Sequence, residues 1–558
     1  MSQPLPEGKR PNVFFYFFDK LQPTTCRTQV AFQSILSQIL DFCEKDKNSI
    51  DLASLALYKH HGGSFVSQEE VMFATEMLLQ KIDGCYLVFD GVDECINSCD
   101  FFQSLNNIAS TAGNSKIALF SRPDIRVPKS IVARASRIFL RSSQNTGDIQ
   151  SYALQRILEL TDELVLPTNR DTTEGAFEIA TRADGMFLWA YLLIEYLQCE
   201  GLSAQERIEA LEEMVVLEGL EKLYAIILEK MSRNPPKARA NVRRAFQWTA
   251  GTLRPLTIQE LSIAATSFPR KSTPGPDEIP NLEQTLGSFS GSLLESNPDG
   301  TVRFVHSSVK EYLQSAGTML NMTKAAQEFG IVQASTLLYL ARACIAYMET
   351  QIPTGPLSGS SQVTPSKHLI AGKYPFLDYC LKHWQDHVCI FMDLARSRTS
   401  CFGQVHRDGT LSDLLVELTT FIHNLKRVTT WVECSWLFGV PPNVAKVASA
   451  IDALQSTGGS VTDRSTLLED LAANLRLLAR DLGHLSSAWG RTLSITPNEI
   501  WEPSLSAFTP SKFLVGTQDC KVTRLTVSHG PGLFSTLVQT RSSEDGLEIG
   551  VVKLLMPR

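Results

Sequence analysis

An apolar run that stops at a cluster of acids carries the sharpest chemical signal in this chain: Leu87-Val88-Phe89-Asp90-Gly91-Val92-Asp93-Glu94. The run reads as a strand. Its acids fall at the carboxyl end, where open α/β sheets bind ligands. Where such a strand end meets a magnesium nucleotide, the first Asp helps hold the metal and a later acid orients the attacking water. The competing reading is that the acids only cap a strand-to-helix turn. The next strand ends in Leu119-Phe120-Ser121-Arg122-Pro123. An Arg there can sense a γ-phosphate by aiming positive charge at developing negative charge. Taken alone, an Arg at a strand end is more often solvated surface.

Alternating strands and helices must position these residues. Val13 to Phe18 is a continuous apolar run ending at Asp19, which predicts a buried strand. Residues 29–42 follow with Phe32, Ile35, Leu36, Ile39 and Leu40 at helical spacing. A helix over 68–82, a strand over 85–89, a helix over 101–112, a strand over 117–120 and a short fourth strand at Ile138-Phe139-Leu140 complete the pattern. Strands separated by helices imply parallel pairing in an α/β layer. Beyond residue 146 the pattern turns helical: 148–160, 173–198, 205–214, 217–232, then two helices around Pro255 within 240–268. A helix over 282–294, a strand at 301–305 and a helix over 308–314 fit a winged-helix type of module. A long helix over 325–350 and a loop or linker over 353–367 lead to more helices from 374 to 488. A β-rich tail is expected at 513–515, 522–527, 534–538 and 549–555.

Composition bounds the function. The 558 residues predict about three to five domains. With 52 basic and 59 acidic side chains the net charge is -7, which excludes a generic basic nucleic-acid footprint. No apolar run approaches a membrane span, and the start lacks the apolar core of a secretory signal. The 12 cysteines are scattered, several inside apolar runs, and read as buried thiols of a reducing cytosol.

The strand-end motifs acquire a joint meaning from their order. They are followed by Asp184-Gly185-Met186-Phe187-Leu188-Trp189-Ala190, then by Arg254-Pro255-Leu256-Thr257-Ile258-Gln259-Glu260-Leu261. The fifth is Phe304-Val305-His306-Ser307-Ser308-Val309-Lys310-Glu311-Tyr312-Leu313. As a set, over about residues 12–315, these resemble fungal NACHT proteins of the STAND class of signalling NTPases. The resemblance implies an α/β fold. A truncated P-loop NTPase-like (NACHT) parallel sheet would span 1–145, a helical domain 146–235 and a winged-helix domain 236–320. An α-helical region, 321–490, and a β-rich tail, 491–558, which could begin a lost repeat domain, would follow. It also assigns roles. Asp90 would coordinate magnesium, Asp93 and Glu94 would form the following acidic pair with one polarising water, and Arg122 would be the sensor arginine. His306 would touch the β-phosphate of ADP and lock a closed state; without the resemblance it reads as a histidine beside a strand.

One departure weighs on all of these roles. The family's G-x-x-x-x-G-K-[ST] loop cradles phosphates with backbone N–H groups. No such motif occurs: Gly8-Lys9 is followed by Arg10, with no strand before it. The expectation is a chain that begins just before the family's second strand, either a degenerate member or a truncated product. Intact relatives use ATP or ADP with magnesium; here the alternative is no cofactor at all. The leading expectation is therefore a cytoplasmic regulatory protein, weak or inactive in hydrolysis, working through interdomain switching or protein partners. Those partners would be further copies or an intact relative, with no nucleic acid and no membrane. A weak ATPase or GTPase, a fragment of one, and a helical adaptor are the rivals. Cys380, His383 and His387 share a helical face and could hold zinc, though flanking aromatics favour packing. Cys95 and Cys99 form a lone pair, and the basic run from Lys230 to Arg244 reads as a solvated face.

Overall fold

The computed structural model describes residues 12–20, 24–57, 67–82, 84–111, 115–122, 125–133, 135–139, 142–163, 165–166, 171–198, 202–214, 219–266, 278–318, 322–396, 410–455, 462–502, 505, 509, 511–515, 522–529, 535–543 and 546–553. The chain divides into two compact units. The first comprises Met1–Tyr224 together with Phe304–Val309, and the second Ala225–Arg303 with Lys310–Arg558.

The first unit is built on three parallel strands in the order β1-β2-β3. They are β1 (Asn12–Phe17), β2 (Cys85–Asp90) and β3 (Ser115–Leu119). The register aligns Phe14 with Leu87 and Ile117, and Tyr16 with Phe89 and Leu119. Between β1 and β2 run helices α1 (Thr28–Phe42), α2 (Lys47–Leu57) and α3 (Gln68–Lys81); α4 (Ser98–Thr111) lies between β2 and β3. The core joins Phe14, Tyr16, Leu87 and Phe89 of the sheet to Phe32 and Ile35 of α1, Val71 and Leu78 of α3, and Phe101 and Leu105 of α4. Phe101 meets Phe18 and Phe89 edge-on at 5.2 and 5.1 Å. Such edge-to-face pairs stabilise by about 0.5–1.5 kcal/mol beyond their burial.

Two expectations fail here. The run from Val13 to Phe18 is buried on one face only: Val13, Phe15 and Phe17 are 46, 49 and 56% exposed. The core-forming helices between these strands pack on the Phe14–Tyr16 face, and among the described residues the other face carries no second layer of the kind parallel sheets ordinarily have. Of the short fourth strand expected at 138–140, Ile138 and Phe139 carry no strand assignment and are 84 and 56% exposed, and Leu140 lies outside the described residues. The outer edge of β1 is closed by a side chain. Phe15 N donates to Gln38 Oε1 at 3.1 Å, and Gln38 Nε2 donates to Phe15 O at 2.8 Å.

The rest of this unit is helical: α5 (Lys129–Val132), α6 (Ser142–Asp162), α7 (Thr172–Ala183), α8 (Phe187–Gln198), α9 (Ala204–Met214) and the start of α10 (Leu220–Ser232). The segment expected as one helix over 173–198 is two. Asp184 and Gly185 take left-handed φ values of 44° and 79° and break it. Asp171 caps α7 through Thr173 N and Glu174 N.

The second unit continues with α11 (Pro236–Gly251), α12 (Ile258–Ala264) and α13 (Leu282–Ser290), then β4 (Leu294–Ser296) and β5 (Val302–Phe304). β4 and β5 pair, and Thr257 bridges antiparallel to Thr301. Next come α14 (Ser307–Thr318), α15 (Lys324–Phe329) and α16 (Gln333–Thr350). The long helix expected over 325–350 is therefore broken at Gly330. A Cβ on Gly330 would lie 2.6 Å from Gly317 N, so the two backbones touch. Helices α17 (Lys367–Lys373), α18 (Leu377–Arg396), α19 (Thr410–His423), α20 (Leu425–Leu437), α21 (Ala445–Gln455) and α22 (Thr462–Leu493) follow. Their aromatic centre stacks Phe376 on Tyr379 at 5.4 Å, with Trp248 edge-on to Phe376 at 5.1 Å.

Residues 353–366 form a loop, but one tied down along α20 and not a free linker. The strand expected at 513–515 is a turn closed by Ser511 Oγ on Phe513 N. An antiparallel meander follows, with β6 (Val522–His529), β7 (Ser535–Ser543) and β8 (Gly546–Lys553). No described helix is long and apolar enough to cross a membrane.

Candidate functional site

The carboxyl ends of β1, β2 and β3 gather the predicted site residues. Phe18 N donates to Asp90 O at 3.0 Å, and Val92 N to Phe120 O at 3.1 Å, so three loops are sewn together by backbone. Gly91 makes this possible. It sits at φ 68°, and a Cβ there would lie 2.6 Å from Phe18 O. A left-handed turn at close approach calls for glycine. Asp90 is exposed, and its Oδ1 accepts from Gly91 N at 2.9 Å. A short 3-10 turn, Val92–Glu94, then presents the other two acids.

Both are engaged. Glu94 Oε2 accepts from Lys20 N at 2.6 Å. Burial raises the Glu94 carboxyl above its ordinary range, the Lys20 N–H lowers it, the charges of Asp93 and Asp19 raise it, and Arg122 lowers it. Asp93 Oδ1 accepts from Arg122 N at 3.0 Å, and its Oδ2 lies 3.6 Å from Arg122 Nε. The same guanidinium donates from Nη2 to Ser307 Oγ at 3.2 Å.

Ser307 opens a second small network. It is 8% exposed and stands between His306 and Ser308 at the start of α14. His306 Nδ1 lies 2.7 Å from Ser308 Oγ and accepts from Ser308 N at 3.2 Å. Ser308 Oγ lies 2.8 Å from Tyr224 OH. An Nδ1 that accepts leaves the proton of a neutral ring on Nε2. The chain Tyr224–Ser308–His306 thus orders the imidazole with Nε2 as a donor.

Asp93 and Arg122 are brought into direct contact, and His306 joins them through its neighbour Ser307. Asp90 instead turns to its own following amide. Ser307, Ser308, Tyr224 and Lys20 are the participants that motif reasoning gave no role. The hydroxyls beside His306 were the available signal; the Lys20 contribution is a backbone N–H and leaves no mark in side-chain type. Among the described residues no three or more His, Cys, Asp or Glu groups are placed to hold a metal.

The other constellations resolve as packing. Cys380 and His387 are fully buried. Cys380 lies against Cys344, and its thiol is pushed well up, first by burial. His387 Nε2 lies 2.8 Å from Tyr379 OH, and the His383 ring lies 4.8 Å from that of Tyr379. Cys95 contacts Thr28 at 3.6 Å. In the basic run, Arg239 pairs with Glu328 at 2.6 Å. The cysteines among the described residues are free thiols.

Residues 3–122 match the family model described as Nephrocystin 3, N-terminal. The chain is also 24% identical over 249 residues to the vegetative incompatibility protein HET-E-1 of Podospora anserina. That match covers 44% of this chain and 18% of the relative. The chain is thus similar to a nephrocystin-type N-terminal family over its first residues, and it spans less than a fifth of the length of the incompatibility protein it matches.

Proposed function

We propose that this chain is a NACHT-type regulatory module in which the acidic strand-end motif and the His306 turn are coupled through one arginine. The observation that carries the reading is the double engagement of Arg122, with Asp93 on one side and Ser307 on the other. A cation shared between two partners is a two-state element when either partner can be outcompeted. Whatever neutralises Asp93, or draws Arg122 to another anion, frees the His306 turn. The engagement of Asp93 by Arg122 and of Glu94 by the Lys20 N–H supports a regulatory reading, because both acids serve to hold the strand-end loops together. No step of this reading runs through a metal. Its readout is association with protein partners, further copies or an intact relative, in the manner of an incompatibility factor.

The test is calorimetric titration of the 558-residue chain with ADP or ATP and magnesium, with Asp90→Ala beside it. The expected outcome is no heat of binding at micromolar nucleotide in either protein. Binding that Asp90→Ala abolishes would return the nucleotide-driven switch, and measurable turnover would return the enzyme.

A further inference from the structure

The most deeply buried carboxylate of the second unit lies outside the site above. Glu433, on α20, is fully buried. It accepts from Leu357 N through both oxygens, at 3.3 and 3.1 Å, and from Trp501 Nε1 at 2.7 Å. It is the last rung of a ladder. Arg427 Nη1 donates to Ile352 O, and Thr430 Oγ1 donates to Gly355 O at 3.3 Å. Positions 427, 430 and 433 are three apart and so share one helix face. Residues 352–357 are strapped along that face. Asn498 Nδ2 fixes the strap further on, donating to Ser361 O at 2.7 Å. Glu433 therefore ties two separate segments to one helix: the strap and the 497–501 turn.

Among the described residues no cation answers its charge. The strap from Ile352 to Val363 has no ionisable side chain. The turn contributes the Trp501 indole, and its own ionisable residue is Glu499. Cys434, next in the helix, is a buried thiol pushed well up by burial and then by the Glu433 charge. Arg427 is held by Ile352 O and feels Glu349 of α16. Lys512, beyond the turn, donates to Asn474 Oδ1 at 2.7 Å. A buried charge satisfied only by neutral donors is costly.

We propose that Glu433 makes the strap a proton-operated clasp: with its carboxyl neutral, strap and turn stay on α20, and ionisation loosens both. Burial raises the group to about 7, against the lowering effect of the Trp501 and Leu357 N–H groups. The folded value thus stands above the ordinary 4.5. Closure is fully favoured below that ordinary value and is lost as pH rises through about 7.

Hydrogen exchange on the full chain at pH 6.0 and 8.5 tests this, each rate divided by its intrinsic value. In the wild type the opening constant of the Leu357 amide should rise by up to about tenfold per pH unit between 4.5 and about 7 and level off above, which is roughly tenfold in all from pH 6.0 to 8.5. Glu433→Gln keeps an acceptor and cannot ionise, so its opening should be independent of pH. A pH-dependent Glu433→Gln protein overturns the clasp. Should that variant not fold, the wild-type series decides alone: unchanged Leu357 protection from pH 6.0 to 8.5 overturns it equally.

Discussion

Arg122 Nη2 donates to Ser307 Oγ at 3.2 Å across 185 positions of sequence. This hydrogen bond joins a residue that ends a strand to a turn that opens a helix. The side chain of Arg122 is 47% exposed. The energy at stake is therefore small, roughly 0.2–1 kcal/mol for an exposed polar pair. A double-mutant cycle of Arg122→Ala and Ser307→Ala should give a coupling in that range. The larger effect should fall on motion: amides 306–309 lose exchange protection in either single variant. Additive single effects with unchanged protection would remove the proposed coupling.

Gly91→Ala should destabilise the first unit by about 1–3 kcal/mol, since it combines a left-handed φ with a backbone contact. Urea unfolding followed through that unit would show the loss. Gly84→Ala is the control. It shares positive φ, at 82°, but a Cβ there meets nothing within 4 Å, so its cost should be smaller.

The second unit should weaken in acid through His387. Tyr379 OH accepts from Leu253 N at 3.1 Å and lies 2.8 Å from His387 Nε2. The other ring nitrogen, Nδ1, is buried with no hydrogen-bond partner among the described residues. Burial, then the charge of His383, lowers this imidazole to about 3. A histidine depressed in the fold contributes stability that is present above its ordinary 6.5 and lost as pH falls toward about 3. At pH 5 the loss is on the order of 2 kcal/mol, at about 1.4 kcal/mol per pH unit. His387→Gln, which keeps a polar group beside Tyr379 and cannot ionise, should flatten the fall in melting temperature between pH 7 and 5. An equally steep fall in that variant would assign the acid sensitivity elsewhere.

Gly330→Ala should destabilise the α14–α15 crossing by about 1–3 kcal/mol, because backbone cannot retreat as a flexible side chain can. Its measure is thermal unfolding of the full chain. Gly372→Ala, at a glycine where a Cβ would meet nothing within 4 Å, should leave the melting temperature near the wild-type value.

The elements of the α/β sheet were legible wherever apolar residues ran continuously. Val13 to Phe18, Cys85 to Phe89 and Ile117 to Leu119 all became strands, and each candidate acid or arginine stands at a strand end. What a run of phenylalanines cannot say is whether one face or two will be covered; that depends on where the crossover helices settle. Ile138-Phe139 had strand-like composition but no paired neighbour among the described residues, and a strand is a property of two segments. The breaks at Asp184-Gly185 and at Gly330 override helical periodicity through positive φ in one case and backbone contact in the other. The spacing of Cys380, His383 and His387 placed them together, yet their chemistry is spent on Cys344 and Tyr379. At the candidate site the acids and Arg122 were readable as types. The partner of Arg122 was not, because a serine 185 positions away has no periodic signature.

Gln38 gives the sheet a direction of growth. Its amide satisfies both polar groups of Phe15, so it behaves as a strand one residue long, anchored to α1. A strand arriving at that margin would have to evict it and replace two hydrogen bonds before gaining any. β3 has no strand beyond it among the described residues. The β1 margin thus takes on a guest strand only after giving up two hydrogen bonds, which sets it apart from an open strand edge.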